Sequence, residues 1–515
     1  MKYRTLLVLL LSFVAGTMVA RPDAEGYANP VLPGFHPDPS VCRVGDTFYL
    51  VNSSFQYFPG VPIYESRDLV HWTQVGNVLT RPSQLPLEGT TSWTGIYAPT
   101  IRHHRGVFYM VTTNVSHGGN FYVTATSPEG PWSEPIALEQ QGIDPSFYFE
   151  DDKCYFVSNP DGHITLCEID PATGKQLTPS KAIWDGTGGR YPEGPHIYRK
   201  DGYYYLLISE GGTELAHKLT IARSRNIYGP YEACPDNPIL THCRMQAQGN
   251  QIQGTGHGDF VQAADGTWWM VFLAYRFYGG QYHHLGRETF LAPVEWAEGE
   301  WPVIHEGKPV ETWMEVKTLP QTQAERPSRN YWDFGLPLHP RWLHLQNPIP
   351  GNYDVARGRL RMQGHGTLTE NNRPTYLGCR QTSPAIRLEA VADVSELGAV
   401  DSRAGISVYQ SNDCHADLFF ENNEVVLRLR LKSVESILGR VPWEGRRTKV
   451  RLEVTSDGNR YHFFAGEGSG RTEVGSLETL LLSTEVGGGF TGVTLGMFAE
   501  GGGWAAFERF FVEDL

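Results

Sequence analysis

The stretch HPDPSVCRVGDTFYLVNSS (residues 36–54) contains the pattern that decides the fold of the first three hundred residues. A polar or acidic residue near proline or glycine is followed by a short strand, a turn and an aromatic-rich strand. The pattern returns in four more segments: YAPTIRHHRGVFYMVTTN, IDPSFYFEDDKCYFVSN, PEGPHIYRKDGYYYLLISE and TGHGDFVQAADGTWWMVFLA. The leading residues are about 46 to 64 residues apart, the length of one four-stranded blade. Residues 21–305 are therefore predicted to form a five-bladed β-propeller.

The propeller prediction brings residues that are distant in the sequence together. The innermost strand of each blade lines the central channel, so equivalent positions of the repeat meet at one end of it. Asp38, Asp144 and Glu193 hold the leading position in segments one, three and four. Segments two and five contribute Tyr97, beside the leading alanine, and His257. We expect these side chains to surround one pocket that contains three carboxylates.

Asp38 lies between two prolines. Proline fixes its own φ and disfavours helical backbone at the preceding residue, which predicts an extended conformation at Asp38. An aspartate before proline can simply cap a turn. The recurrence of acidic residues at equivalent positions favours a chemical role instead.

The pattern changes after residue 305. The segment VKTLPQTQAERPSRN lies within a predicted linker, residues 306–330. Residues 331–515 then alternate apolar and polar side chains in short runs separated by turns, which predicts an antiparallel β-sandwich. The whole chain is predicted to be all-β.

Composition and charge limit the partners. The chain has 515 residues, too many for one core, and a formal net charge of −14. It contains no basic block, so nucleic acid and anionic membranes are not expected partners. Uncharged, hydroxyl-rich ligands remain compatible with this surface.

Residues 1–20 read as a secretory signal peptide. Lys2 and Arg4 precede an apolar run, and small residues follow up to Ala20. The run is shorter than the roughly 20 apolar residues that a membrane span needs. Because no cysteine follows directly, a lipid anchor is not indicated, and we predict a secreted or periplasmic protein.

The cysteines do not form a disulfide scaffold. Seven are scattered along the chain without a C-x-x-C pair, and an odd number leaves at least one thiol free. A loop disulfide between Cys234 and Cys243 remains open.

Three carboxylates around one pocket suit the cleavage of a glycosidic bond. One carboxylic acid protonates the leaving oxygen while a carboxylate activates water or attacks the sugar. A third acidic group raises the pKa of its neighbours by charge repulsion, which keeps the acid protonated.

The segments NPVLPGFHPDPSVCRVGDTFYLVNSSFQYFPGVPIYESRDLVHW, GIDPSFYFED, RYPEGPHIY and GRET resemble glycoside hydrolase family 43. The resemblance is strongest to its β-xylosidase and α-L-arabinofuranosidase branch and covers nearly the whole chain. It implies that the C-terminal sandwich is a concanavalin-like jelly roll. It also implies that Asp38 is the general base, Glu193 the general acid and Asp144 the residue that tunes and orients this acid. Catalysis would proceed with inversion, with base and acid about 6.5–9.5 Å apart.

The resemblance also implies a set of sugar-binding residues: Phe35, His36, Phe55, Tyr97, Thr213, His257 and Arg287. Tyr97 stands where the branch often has tryptophan. No cofactor is required, although His257 matches a histidine that in parts of the family contacts a calcium ion or its water shell. The stretch GFTGVTLGMFAEGGGW, residues 489–504, matches a sandwich loop that narrows the pocket. Thr494 aligns with the aromatic residue of that loop, and Trp504 and Phe498 are candidates to replace it.

Our leading hypothesis is an exported, exo-acting, inverting hydrolase that releases terminal β-D-xylose or α-L-arabinofuranose from oligo- or polysaccharides. An endo-arabinanase-like hydrolase and a non-catalytic carbohydrate-binding protein on the same fold are the alternatives. A retaining fructan-type hydrolase is disfavoured because its Asn-Asp-Pro-Asn-like motif is absent. The oligomeric state remains open.

Overall fold

The computed structural model describes residues 26–316, 329–332, 334, 337–370, 372–398, 401–443 and 448–515. The predicted signal peptide and residues 317–328 of the predicted linker lie outside this part of the chain. Strands dominate the described residues. The helical segments there are one short α-helix, Thr484–Gly487, and 3-10 turns at Pro160–Gly162, Met245–Gln248, His305–Gly307 and Thr479–Leu482.

The N-terminal domain contains five antiparallel sheets, called blades one to five. Blade one contains Ser40–Val44, Thr47–Val51, Gly60–Ser66 and Thr73–Leu79; blade two Thr100–His104, Val107–Asn114, Gly119–Ala125 and Ile136–Ala137. Blade three contains Ser146–Glu150, Lys153–Ser158, Ile164–Ile169 and Lys181–Trp184. Blade four contains Glu193–Lys200, Tyr203–Glu210, Lys218–Ser224 and Glu232–Ala233, with Leu240–Thr241 also paired to its third strand. Blade five contains Ile252–Gln262, Trp268–Arg276, Glu288–Glu295 and Val303–Ile304.

The first strands of the blades form a closed ring. Each contacts the first strands of the two neighbouring blades, and blade five contacts blade one. Each of the five repeated segments supplies the first two strands of one blade, so the predicted propeller architecture is confirmed. The hairpins of blades one and four turn at Gly45 and Gly202, whose φ values of 61° and 75° favour glycine.

An ion pair between the buried Asp259 and the partly buried Arg102 joins the inner strands of the channel. Asp259 of blade five accepts hydrogen bonds from Ser40 Oγ (2.7 Å) and from Tyr198 Oη (2.6 Å). Arg102 Nη1 of blade two lies 2.8 Å from its Oδ2. Burial is the largest influence on Asp259 and opposes its ionisation, but the charges of Arg102 and His196 and the hydrogen bonds from Arg102 and Tyr198 together outweigh it and lower the pKa of this carboxyl. Four of the five blades are thereby tied to one carboxylate.

Replacing Asp259 by asparagine is expected to lower the free energy of unfolding by about 3 kcal/mol, because the charge of the partly buried Arg102 then loses its partner. Urea unfolding of both proteins measures this difference. Asp152→Asn is the matched control, since Asp152 forms an exposed ion pair with Arg105. Its effect should stay below about 1 kcal/mol. Equal stabilities of the Asp259→Asn and Asp152→Asn variants would contradict the stabilising role given to Asp259.

The C-terminal domain is a sandwich of two antiparallel sheets. One contains, in spatial order, Tyr353–Ala356, Arg359–Gln363, Trp504–Asp514, Ala385–Asp393, Lys449–Asp457, Arg460–Gly466 and Thr472–Glu478, with Arg329–Trp332 paired to Trp504–Asp514. The other contains Thr375–Arg380, Thr494–Glu500, Arg403–Ser411, Cys414–Glu421, Glu424–Leu431 and Val434–Pro442. Alternating apolar side chains of both sheets form one core between them.

The two domains are packed against each other. His344–Leu345 pairs with Tyr57–Phe58 of the propeller, and Val493 N donates to His284 O at 2.9 Å. A buried aromatic cluster combines propeller side chains such as Phe55 with sandwich side chains such as Tyr376. The sandwich therefore reaches the pocket end of the propeller.

Further strand pairing occurs within the predicted linker. Trp313–Glu315 pairs with Gly26–Ala28, and Val310 and Met314 are buried in a core cluster of the propeller. All seven cysteines are free thiols, so Cys234 and Cys243 are not bridged. Within the described residues, no helix is both long and apolar enough to cross a membrane.

Candidate active site

The leading residues of the repeats line one cavity of about 290 Å³. Asp38 and Asp144 each lie two residues before the first strand of their blades, and Glu193 opens the first strand of blade four. His257 lies within the first strand of blade five. Tyr97, Thr213, Phe55 and Arg287 also line this cavity. Eight of the ten predicted site residues are thus brought together.

The backbone at these positions is unusual. Asp38, Asp144 and His257 have φ values of 52°, 51° and 44°. The extended backbone predicted for Asp38 is therefore wrong. Aspartate tolerates positive φ better than most residues, and two side-chain contacts hold Asp38 there. Glu193 and His257 lie at irregularities in strand register, a device that redirects side chains beside active sites.

Asp38 is paired with the Arg287 guanidinium. Arg287 Nη1 donates to its Oδ1 at 2.8 Å and Nη2 to its Oδ2 at 3.4 Å, and the Ser53 hydroxyl also donates to Oδ2. Both partners of the ion pair are buried. Arg287 Nη1 also donates to Thr213 Oγ1 at 3.2 Å, which fixes the guanidinium over the cavity. Asp38 can accept a proton here, and the donors keep its oxygens in place.

The other two carboxyls are shifted toward the protonated form. Burial first, and then the negative charge of Asp38, raise the pKa of Glu193 to about 7, while Arg287 opposes the rise. Burial, Glu193 and Asp38 together raise the pKa of Asp144 well above its usual value. Near neutral pH the cavity therefore combines a paired carboxylate with carboxyl groups that retain protons. This is the arrangement that acid–base chemistry requires.

The rate should depend on pH through Glu193. A group with a pKa of about 7 donates its proton below that pH and loses it above. We expect kcat/KM to fall as pH rises through about 7, approaching tenfold per pH unit. Initial rates between pH 5 and 9 measure this fall in kcat/KM. Circular dichroism at each pH verifies that the protein remains folded. A kcat/KM that stays constant up to pH 9 would contradict the assignment of Glu193 as the acid.

Aromatic side chains form the wall beside Asp38. The Phe55 ring lies 5.4 Å from Tyr97 and 6.4 Å from Phe490, nearly parallel to the latter. The Arg287 guanidinium lies 5.7 Å from the Phe55 ring centre and 5.8 Å from that of Phe490. Phe490 belongs to the sandwich domain and is 38% exposed. The C-terminal domain therefore completes the cavity.

None of the three positions considered for the sandwich aromatic, Thr494, Phe498 and Trp504, lines the cavity. Thr494 is fully buried and shares a hydrogen bond with Tyr376 Oη at 2.8 Å. Phe498 lies in the buried interdomain cluster, and Trp504 lies beneath the Arg361 guanidinium at 4.8 Å. Phe490, at the start of the same stretch, takes the place predicted for them.

Phe35 and His36 do not line the cavity, which corrects their prediction as sugar-binding residues. Phe35 is fully buried and packs behind Phe55, with ring centres 5.7 Å apart. The two ring nitrogens of His36 contact the Pro33 carbonyl and the Tyr64 hydroxyl, both at 2.9 Å. Phe35 therefore supports the wall from behind, whereas His36 is held by residues outside the cavity lining.

His257 lies against Asp144 within the channel. Its Nδ1 is 3.9 Å from Asp144 Oδ2, and burial lowers the pKa of the imidazole, so the ring is neutral near pH 7. Calcium prefers about six to eight oxygen ligands. The described residues contain no group of three or more His, Cys, Asp or Glu side chains able to hold a metal ion. The donor set does not fit a directly bound calcium ion, and a contact through water stays a prediction.

Seven further lining residues were not predicted as site residues: Ala98, Ile143, Tyr191, Gly212, Glu214, His217 and Phe490. His217 Nδ1 lies 3.0 Å from the Gly254 carbonyl oxygen, and burial lowers its pKa to about 4. Tyr191 and Glu214 adjoin the predicted residues Glu193 and Thr213 in sequence. The closeness of Tyr191 and Glu214 to predicted site residues in the sequence is the signal that could have identified them.

Two family models match the chain. The model described as "Glycosyl hydrolases family 43" matches residues 27–302. The model described as "Beta xylosidase C-terminal Concanavalin A-like domain" matches residues 333–513. The second match agrees with the concanavalin-like sandwich expected for the C-terminal domain.

The similarity to known proteins and solved structures covers most of the chain. The chain is 40% identical to the non-reducing end alpha-L-arabinofuranosidase BoGH43B of Bacteroides ovatus, over 98% of this chain and 96% of that protein. It is 32% identical to a beta-xylosidase of Bacillus subtilis, over 91% of this chain and 95% of that protein. The structure of a xylan beta-1,4-xylosidase from Bacillus halodurans matches with a TM-score of 0.87 at 33% identity, covering 95% of this chain and 100% of that one.

Proposed function

Since the chain belongs to glycosyl hydrolase family 43, we propose that it is an exo-acting, inverting hydrolase that releases terminal β-D-xylose or α-L-arabinofuranose from saccharide chains. The observation that supports this most is the cavity that contains Asp38, Asp144 and Glu193. We also propose export, on the pattern of residues 1–20.

The roles of the three carboxyls follow from their surroundings. Glu193, with its pKa raised to about 7, is the general acid that protonates the leaving oxygen. Asp38, paired with Arg287, is the base that takes a proton from the attacking water. Asp144 is the residue that tunes and orients this acid, and the negative charge of Glu193 is one of the causes that raise the pKa of its buried carboxyl. Arg287 and Thr213 are positioned to bind sugar hydroxyls.

The position of the C-terminal domain supports exo action. Glu485 contacts His283 at 2.8 Å, and Thr484 N donates to His283 O, which anchors the segment before Phe490 on the propeller. Phe490 then forms a wall beside Phe55. An endo-acting enzyme needs a groove that continues past the cleaved bond on both sides. A wall at this place favours binding of a chain end.

The test is a substrate panel with the purified full chain. Nitrophenyl β-D-xylopyranoside and α-L-arabinofuranoside should be hydrolysed, whereas the corresponding β-D-glucopyranoside serves as the control for pentose selectivity. Linear arabinan and xylo-oligosaccharides, followed by chromatography, should yield monosaccharide from the first time points. Internal fragments at those times would favour the endo-acting alternative. Absence of turnover on every pentoside, with sugar still bound, would favour a binding protein.

A further inference from the structure

Tyr191 is an exposed aromatic side chain at the mouth of the cavity. It lines the cavity yet remains 61% exposed, more than Phe490 on the other wall. Its φ is 52°, a conformation that is a genuine outlier for a bulky residue. Such strain persists where the surrounding structure enforces it, and it is concentrated at functional sites.

Neighbouring side chains hold the Tyr191 ring in place. The Arg190 guanidinium lies over the ring, 5.3 Å from its centre. Arg190 Nη2 donates to Glu214 Oε2 at 3.1 Å and to Gly211 O at 3.0 Å. A Cβ at Gly212 would lie 2.7 Å from Glu214 Oε2 and 3.3 Å from the Tyr191 ring, so no side chain separates these groups. Arg190, Tyr191 and Glu214 form one unit, called here the mouth platform.

The mouth platform adjoins the proposed general acid. Tyr191 precedes Glu193 by two residues. Glu214 lines the same cavity as Glu193, and its negative charge adds to the rise in the pKa of Glu193 that burial and Asp38 cause. The sugar that is released binds among Asp38, Arg287 and the Phe55 wall. The exposed part of the cavity lining beside Glu193, where Tyr191 and Glu214 lie, is then left for the leaving group.

We propose that the mouth platform is the leaving-group subsite and that it binds the second sugar ring of a pentose chain. Carbohydrate rings stack on exposed aromatic faces through their C–H groups, and Tyr191 offers such a face. Arg190 and Glu214 place a donor fork and a carboxylate beside it, which suits neighbouring hydroxyl groups. This inference rests on the proposed function, because it assigns the part of the substrate that the enzyme expels.

Paired substrates test the platform. One is a pentose disaccharide, and the other is the methyl glycoside of the same pentose, whose leaving group is too small to reach Tyr191. Tyr191→Ala should lower kcat/KM for the disaccharide about tenfold, mainly through KM, and change the methyl glycoside less than about twofold. Tyr191→Phe, which keeps the aromatic face, should behave like the wild type. Equal losses on both substrates, or no loss on either, would overturn the proposal.

A binding measurement separates this inference from the proposed function. In a Glu193→Gln background, in which turnover is expected to be about 10²–10⁴-fold slower, calorimetry measures affinity for the disaccharide and for the monosaccharide. Adding Tyr191→Ala should weaken disaccharide binding about tenfold and leave monosaccharide binding unchanged. Wild-type protein that hydrolyses no pentoside would overturn the function, whereas unchanged disaccharide affinity would overturn the platform alone.

Discussion

Glu193→Gln is expected to lower kcat for a pentose disaccharide by about 10²–10⁴-fold, the usual contribution of one acid–base group. Glutamine has nearly the same shape but cannot donate an acidic proton to the leaving oxygen. The loss should shrink for a dinitrophenyl pentoside, because that leaving group departs without protonation. The fall in rate above pH 7 should disappear as well. Stopped assays on both substrates across pH measure these effects.

A matched control is available in the same blade. Glu232 lies exposed in the fourth strand of blade four, and Glu232→Gln should leave both rates unchanged. Circular dichroism and thermal unfolding show whether the variants remain folded. A Glu193→Gln enzyme that loses the same factor on both leaving groups would show that Glu193 acts on another step than leaving-group protonation.

Asp38→Asn is expected to cause the second large loss of kcat. Asparagine cannot take the proton of the attacking water, and the buried Arg287 loses its ionic partner. We expect kcat to fall by about 10²–10⁴-fold. In contrast to the loss at Glu193, this loss should be similar for disaccharide and dinitrophenyl substrates, because every substrate requires the water to be activated. The ratio of the two losses therefore distinguishes the base from the acid.

Asp46→Asn is the control for Asp38. Asp46 is exposed in the hairpin at the far end of the same first strand, away from the cavity. Its replacement should change neither kcat nor the melting temperature appreciably. An Asp38→Asn enzyme with a near wild-type rate, or with a loss confined to poor leaving groups, would remove the assignment of Asp38 as the base.

The sequence predicts the propeller well because its evidence is local and repeated. Each segment contains its own turn and strands, and the closed ring follows from placing equivalent strands side by side. The position of Asp38, Asp144 and Glu193 at one cavity depends only on that repetition. The repeat alone therefore predicts that these three residues, far apart in the chain, meet at one end of the channel.

The errors arose where the structure depends on contacts between distant segments. The positive φ of Asp38 depends on contacts from Ser53 and Arg287, which no rule about neighbouring prolines contains. The identity of the wall residue depends on how the sandwich packs on the propeller, which brings Phe490 rather than Thr494 to Phe55. Phe35 adjoins the site in sequence but points into the interdomain cluster.

The stereochemistry of hydrolysis tests the central claim most directly. Proton NMR, recorded during the first minutes of hydrolysis of the preferred nitrophenyl pentoside, identifies the anomer that is released before mutarotation. With Glu193 as acid and Asp38 as base, water attacks the sugar directly, so the first product should have the anomeric configuration opposite to that of the substrate. Release of the sugar with its configuration retained would require a covalent intermediate and would contradict the role of Asp38.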